Sequence, residues 1–152
     1  MVKDSLVTKT QAQALKELGF KEPTSGYMWN VTGEKIFFMY PDNSNHIKAC
    51  LSIPTIDEVI DWLRRKYNII IYNQIEPFVD PTDTSHKSIL FKFGVKKCDT
   101  NNLGWNGRRD LGTTRLAKNV YSLKREAIGI AIKYIKSQKN GEHTKSTESP
   151  SF

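Results

Sequence analysis

The chain has 152 residues, the length of one domain, and its 38% apolar and 11% aromatic content is enough for a core without covalent staples. No run approaches the ~18 apolar residues of a membrane span, the first residues lack the apolar stretch of an export signal, and two cysteines with three scattered histidines match no metal-ligand spacing. The net charge of +7 is unevenly placed, since residues 86–140 carry 13 basic and 3 acidic residues, net +10, while residues 1–85 carry a net −2; such a field attracts polyanions.

In chain order, the first expected element is a helix over Lys9–Leu18. Thr8 with Gln11 forms a capping box, in which hydroxyl and amide each satisfy an orphan backbone group. Val7 staples to Ala12, Ala14, Leu15 and Leu18 share its face, and Gly19 supplies a left-handed end with Phe20 folding back. A hairpin follows, with strands Tyr27–Val31 and Lys35–Tyr40 around Thr32-Gly33-Glu34. A third strand, Ile47–Ile53, alternates Ile47, Ala49, Leu51 and Ile53 against Lys48, Cys50 and Ser52.

The central helix opens at Thr55, whose capping partner is Glu58. Asp57, Glu58 and Asp61 suit its positive end, and Arg64, Arg65 and Lys66 its negative end. Ile56, Val59, Ile60 and Leu63 form one apolar stripe bordered by Trp62. Two further strands, Ile69–Ile75 and Ser88–Val95, flank the turn-rich Pro77–Asp83. The last helix begins at Val120 or Leu123 and ends at Ser137, with an apolar face wide enough to cross a sheet and with Gly129 inside it as a point of close approach. The expectation is one α+β domain over residues 1–137, in the order α-β-β-β-α-β-β-α, whose helices cover a mainly antiparallel sheet of about five strands. Residues 138–152, almost without apolar side chains, are expected to form a disordered tail.

The segment Cys98–Arg115 is long for a connection within a domain. Gly104, Gly107 and Gly112 can turn amides outward, Arg108, Arg109 and Arg115 supply forked donors for phosphate, and Trp105 can stack on a base. Together they predict an anion-binding loop, extended by Lys92, Lys96 and Lys97 on the preceding strand and by Arg125, Lys133 and Lys136 on the last helix. The competing expectation is a plain hairpin tip, because Asn106-Gly107 is a strong turn signal, with the lysines as solvated surface. No phosphate-binding Gly-x-x-x-x-Gly-Lys-Ser/Thr loop occurs.

Catalytic constellations are thin. Asp57, Glu58 and Asp61 are accounted for by capping and the helix dipole, His46 follows a polar loop without a nucleophile beside it, and Asp80, Asp83 and His86 read as turn residues. No enzyme, cofactor or metal is expected. Cys50 and Cys98 are expected to be reduced thiols of a cytoplasmic protein.

Thr8-x-x-Gln11-Ala12 with Leu15-x-x-Leu18-Gly19-Phe20, the stretch Ile53-Pro54-Thr55-Ile56-Asp57-Glu58-Val59-Ile60-Asp61-Trp62-Leu63-Arg64 and the isoleucine-rich last helix resemble small proteins of Bacteroides-type bacteria, their prophages and their phages. The resemblance covers about half of the chain, is most specific at Trp62-Leu63-Arg64, omits residues 101–115, and implies a setting rather than an activity: an accessory protein in a bacterial cytoplasm. The leading expectation is a non-enzymatic module that binds nucleic acid or a nucleotide through its basic half. The alternative is a protein-interaction module, a host-factor inhibitor or virion component, using Trp29, Phe37 and Phe38.

Overall fold

Two threonines define where the first two helices begin. Thr8 accepts a hydrogen bond from the Gln11 backbone at 3.1 Å and Thr55 from that of Glu58 at 3.3 Å, while the Gln11 and Glu58 side chains accept from the Thr8 and Thr55 amides at 3.3 and 2.9 Å. These capping boxes open α1 (Lys9–Glu17) and α2 (Ile56–Tyr67). Gly19, at φ +84°, closes α1: its amide donates to Lys16 O, and the Phe20 amide donates to Leu15 O. The structure is a computed structural model and describes residues 3–30, 32–79, 87–99 and 107–147.

The fold is α+β, with three α-helices and two antiparallel three-stranded sheets. The first sheet orders β1 (Tyr27–Trp29), β2 (Lys35–Phe37) and β3 (Leu51–Ile53) as β2-β1-β3. The second orders β4 (Ile69–Val79), β5 (Lys87–Cys98) and β6 (Arg108–Thr113) as β4-β5-β6. The expected single sheet is thereby corrected, because the twelve-residue α2, about 18 Å long, carries the chain away from β3 before β4 starts. The sixth strand lies within the predicted loop: β6 pairs with β5 from Gly94↔Thr113 to Cys98↔Arg108.

Boundaries also differ: β1 ends at Trp29, β2 ends at Phe37 before the expected Tyr40, and β5 runs past Val95 to Cys98. Ile47–Cys50 is a turn, not strand, and Ile47 is 44% exposed. The Lys16 ammonium explains it by donating to the carbonyls of Ile47, Lys48 and Cys50 at 2.9, 3.0 and 2.5 Å, which curls this segment around one cation. β4 continues through Pro77 to Val79; residues 80–86, which include most of the predicted turn, lie outside the described residues. The last helix, α3 (Val120–Thr147), runs past Ser137. Extending an existing helix costs far less than starting one, and no proline interrupts Ser137–Thr147. The rest of the predicted tail, residues 148–152, is outside the described range.

One apolar cluster joins all layers. Leu123, Ala127, Ile128, Ala131, Ile132 and Ile135 of α3 are buried with Phe93 and Val95 of β5, Val59, Trp62 and Leu63 of α2, and Ala12 and Leu15 of α1. Trp62, expected at the border of its stripe, is buried edge-on between Phe20 at 5.2 Å and Tyr67 at 5.3 Å. Gly129 lies beside Gln11 with room for a methyl group, so close packing does not require glycine there.

The Glu58 carboxylate ties this core to the first sheet. It accepts from the Thr55 and Ser25 amides, both at 2.9 Å, from Ser25 Oγ at 2.8 Å and from the Thr24 hydroxyl. Partial burial pushes its pKa up, but these hydrogen bonds outweigh burial and hold it below the usual glutamate range. Glu58→Ala should destabilise the fold by about 1–3 kcal/mol in urea denaturation. Because the folded pKa is depressed, the carboxylate's contribution is complete above the unfolded pKa of about 4.3 and is lost as pH falls through the folded value. Between about pH 5 and pH 3 the Tm of the wild type should fall more steeply than that of Glu58→Gln; parallel curves would contradict this role.

Candidate anion-binding face

Side chains alternate along β5. Phe91, Phe93 and Val95 face the core and α3, so Lys92, Gly94 and Lys96 face away from it. On β4, Gln74, Tyr72 and Ile70 stand in register with these three outward residues. Gly94 is the floor beneath Tyr72, since a Cβ at that position would lie 2.2 Å from the ring Cζ; only glycine lets the ring lie against the strand. The Lys96 ammonium sits 5.3 Å from the ring centroid, and the Gln74 amide donates to the Tyr72 hydroxyl at 3.3 Å. Ile70, Tyr72, Lys96 and Arg108 line a concavity of about 210 Å³.

A β-bulge decides which arginine joins this face. Val95 pairs with Gly112 but Lys96 pairs with Asp110, so Leu111 is the extra residue of β6. Beyond the bulge, Arg109 pairs with Lys97 and Arg108 with Cys98. A register without that extra residue would exchange the two arginines between faces. Arg108 therefore stands with Lys96 on the outer side, while the Arg109 guanidinium lies 5.8 Å over the Tyr134 ring on the α3 side. Lys97, also inward, donates to the carbonyl of Tyr67. The end of this sheet thus carries a lysine, an arginine and a tyrosine on each face.

On the inner side, Tyr67, Ile69, Lys97, Tyr134, Ile135 and Lys139 line a cavity of about 310 Å³. Burial pushes the Tyr67 hydroxyl pKa up, further from neutral pH.

The other predicted residues do not form one surface. Arg115 pairs with Glu126 at 3.2 Å and donates to Ser122 at 3.1 Å. Arg125 donates to the carbonyls of Leu6 and Asp4 at 2.8 and 2.5 Å, clamping the N-terminal segment onto α3. Lys136 pairs with Glu17 at 2.8 Å, and Lys133 is exposed on α3. Arg115, in the connection between β6 and α3, and Arg125 of α3 are thus removed from the predicted binding surface, because a carboxylate or backbone carbonyls already hold their guanidinium groups. Lys92 is half-buried on the outer face two residues from Gly94. Trp105 lies outside the described residues, as does Gly104, so the base-stacking loop itself has no structural account. The expected loop arginines instead lie on a paired strand, whose ladder turns consecutive side chains to opposite faces.

Tyr72 was missed in the sequence because Ile69-Ile70-Ile71-Tyr72 is apolar throughout and hides which side faces out. The cross-strand glycine was the available signal. His46 is exposed in its loop, and His86 is outside the described residues. Among the described residues no three His, Cys, Asp or Glu side chains gather as a metal site, and no helix is long and apolar enough to cross a membrane.

The Tyr72–Gly94 stack gives a direct test. Gly94→Ala should cost about 1–3 kcal/mol by chemical denaturation, and adding Tyr72→Ala should restore most of that loss by removing the clash. Equal losses in the single and double variants would contradict the stack. Comparison of the chain with protein-family models, curated proteins and solved structures finds no match.

Proposed function

We propose that the chain is a non-enzymatic module that binds single-stranded nucleic acid on the outer face of β4-β5-β6. The observation that carries this is the placement of Lys96 and Arg108 with Tyr72 around one concavity. A tyrosine ring accepts any base by stacking, and flanking cations meet the phosphates on either side. The Lys96 ammonium covers the ring in the free protein. A base that takes its place leaves Lys96 beside the ring, where the adjoining phosphate lies. Arg108 offers a planar fork suited to bidentate phosphate contact, and Lys92 continues the basic line along β5. Arg115, Arg125 and Lys136 lie elsewhere, held by Glu126, by the carbonyls of Asp4 and Leu6, and by Glu17, and take no part. On the resemblance of the Ile53–Arg64 stretch and the opening helix, the setting we propose is that of a phage or prophage accessory protein in a bacterial cytoplasm.

A second reading rests on a different observation. Phe37, Met39 and Tyr40 are 61%, 92% and 80% exposed beside the edge strand β2, an apolar patch of the kind that marks protein contacts. Trp29 and Phe38 are half-buried and add less to it than Phe37. Capture of a host protein that survives nuclease treatment and is lost in Phe37→Ser would favour this alternative.

The nucleic-acid proposal is tested by fluorescence anisotropy on short single-stranded DNA and RNA across a salt series. Tyr72→Ala should weaken binding by about 5- to 150-fold, the worth of one stacked base. Lys96→Ala should lower the slope of log affinity against log salt by about 0.7, one phosphate contact on a single strand. Lys133→Ala should change neither. Wild-type affinity indifferent to salt, or unchanged affinity in Tyr72→Ala, would contradict the assignment.

A further inference from the structure

The inner side of the same sheet end has the features of a separate small-ligand site. Its floor is Ile69 and Ile135, both buried, and Tyr67 and Tyr134 stand beside them. Lys97 and Lys139 form the rim, and the Arg109 guanidinium covers the Tyr134 ring. Lys97 spends one donor on the Tyr67 carbonyl, which leaves two of its three for a ligand. No carboxylate is among the described lining residues. The volume of about 310 Å³ falls at the lower end of small-molecule sites, roughly 300–1,000 Å³.

An apolar floor between aromatic rings calls for a flat ring system. Two rim cations, with the Arg109 guanidinium beside them on Tyr134, call for an anion on one side. The exposed Gln138 amide at the margin offers both a donor and an acceptor to the polar edge of a ring, which a simple acyl chain would leave unused. We propose that this cavity binds a nucleoside monophosphate unit, with its base over Ile135 and Tyr134 and its phosphate held by Lys97, Lys139 and Arg109. Arg109 moves from the ring to the phosphate on binding, and the base takes the ring face it leaves. The unit comes either as a free nucleotide or as the phosphorylated end of a strand; the recognising chemistry is the same. The site does not depend on the outer face, because the two share no side chain.

The experiment is calorimetric titration of the full chain with AMP, GMP, CMP and UMP, and separately with adenosine, inorganic phosphate and decanoate. A parallel arm compares a short oligonucleotide with and without a 5′-phosphate. At least one mononucleotide should bind with 1:1 saturation, and its nucleoside and inorganic phosphate should each bind about tenfold or more weakly. Arg109→Gln and Lys139→Gln should each weaken binding about tenfold. Both substituted positions are exposed, and unaltered circular dichroism checks that the fold is kept. Binding of the 5′-phosphorylated oligonucleotide alone, sensitive to the same two variants, supports the site and identifies a strand end as its source. Absence of saturable binding to any mononucleotide or phosphorylated end at millimolar concentration, preference for decanoate, or indifference to both variants overturns the proposal.

Discussion

The apolar face of α3 is the constraint on which the rest of the molecule depends. Leu123, Ala127, Ile128, Ala131, Ile132 and Ile135 are all buried, and α3 touches α1, α2 and every strand of the second sheet. Each of the leucine and isoleucine side chains among them contributes roughly 1.5–3 kcal/mol on burial. That contact decides which side of β5 is the inside, and strand alternation then decides the outside without further choice. Lys92, Gly94 and Lys96 face outward because Phe91, Phe93 and Val95 face inward.

The same helix divides the basic half of the chain into two populations. Arg125 holds the N-terminal carbonyls, Lys124 pairs with Asp57 at 2.9 Å on α2, and Lys136 pairs with Glu17 on α1. These contacts join α3 to the less basic half of the molecule and account for several of the positive charges. Surface pairs of this kind contribute little each, about 0–1 kcal/mol, so they orient the helix more than they stabilise it. Of the remaining cations of β5 and β6, Lys97 stands opposite Arg109, while Lys96 stands opposite Asp110. Like charges directly across a ladder are unfavourable, and Lys97 faces Arg109 in just that way. An anion on the inner side, where the cavity beside Lys97 and Arg109 lies, would relieve that repulsion.

The helices were legible because their signals are local. The Thr8/Gln11 and Thr55/Glu58 boxes and the α2 stripe each lie within a few residues, and neither needs a partner to be read. The turn at Ile47–Cys50 was misread as strand because its alternation is genuine; what bends it is Lys16, over thirty residues earlier. β6 was hidden for a different reason. Arg108-Arg109-Asp110-Leu111-Gly112-Thr113 has no apolar alternation, and its bulge breaks the period that a strand would show. The candidate site was accordingly half visible: Lys96 and Arg108 were identified, but Arg109 was assigned to the same surface, and Tyr72 was absorbed into an apolar run. Neighbours across a ladder, unlike neighbours on a helix, are not written in sequence spacing.

The account's central claim is that the outer face of the second sheet, centred on Tyr72 and Lys96, is where a nucleic-acid strand lies. Backbone chemical-shift mapping of the ¹⁵N-labelled chain during titration with a short single-stranded oligonucleotide tests this directly. The largest shifts are predicted at Ile70, Tyr72 and Gln74, at Lys92–Lys96 and at Arg108. Shifts confined to Lys35–Tyr40, or no shifts in the strands of the second sheet under conditions where binding is measured, would contradict it.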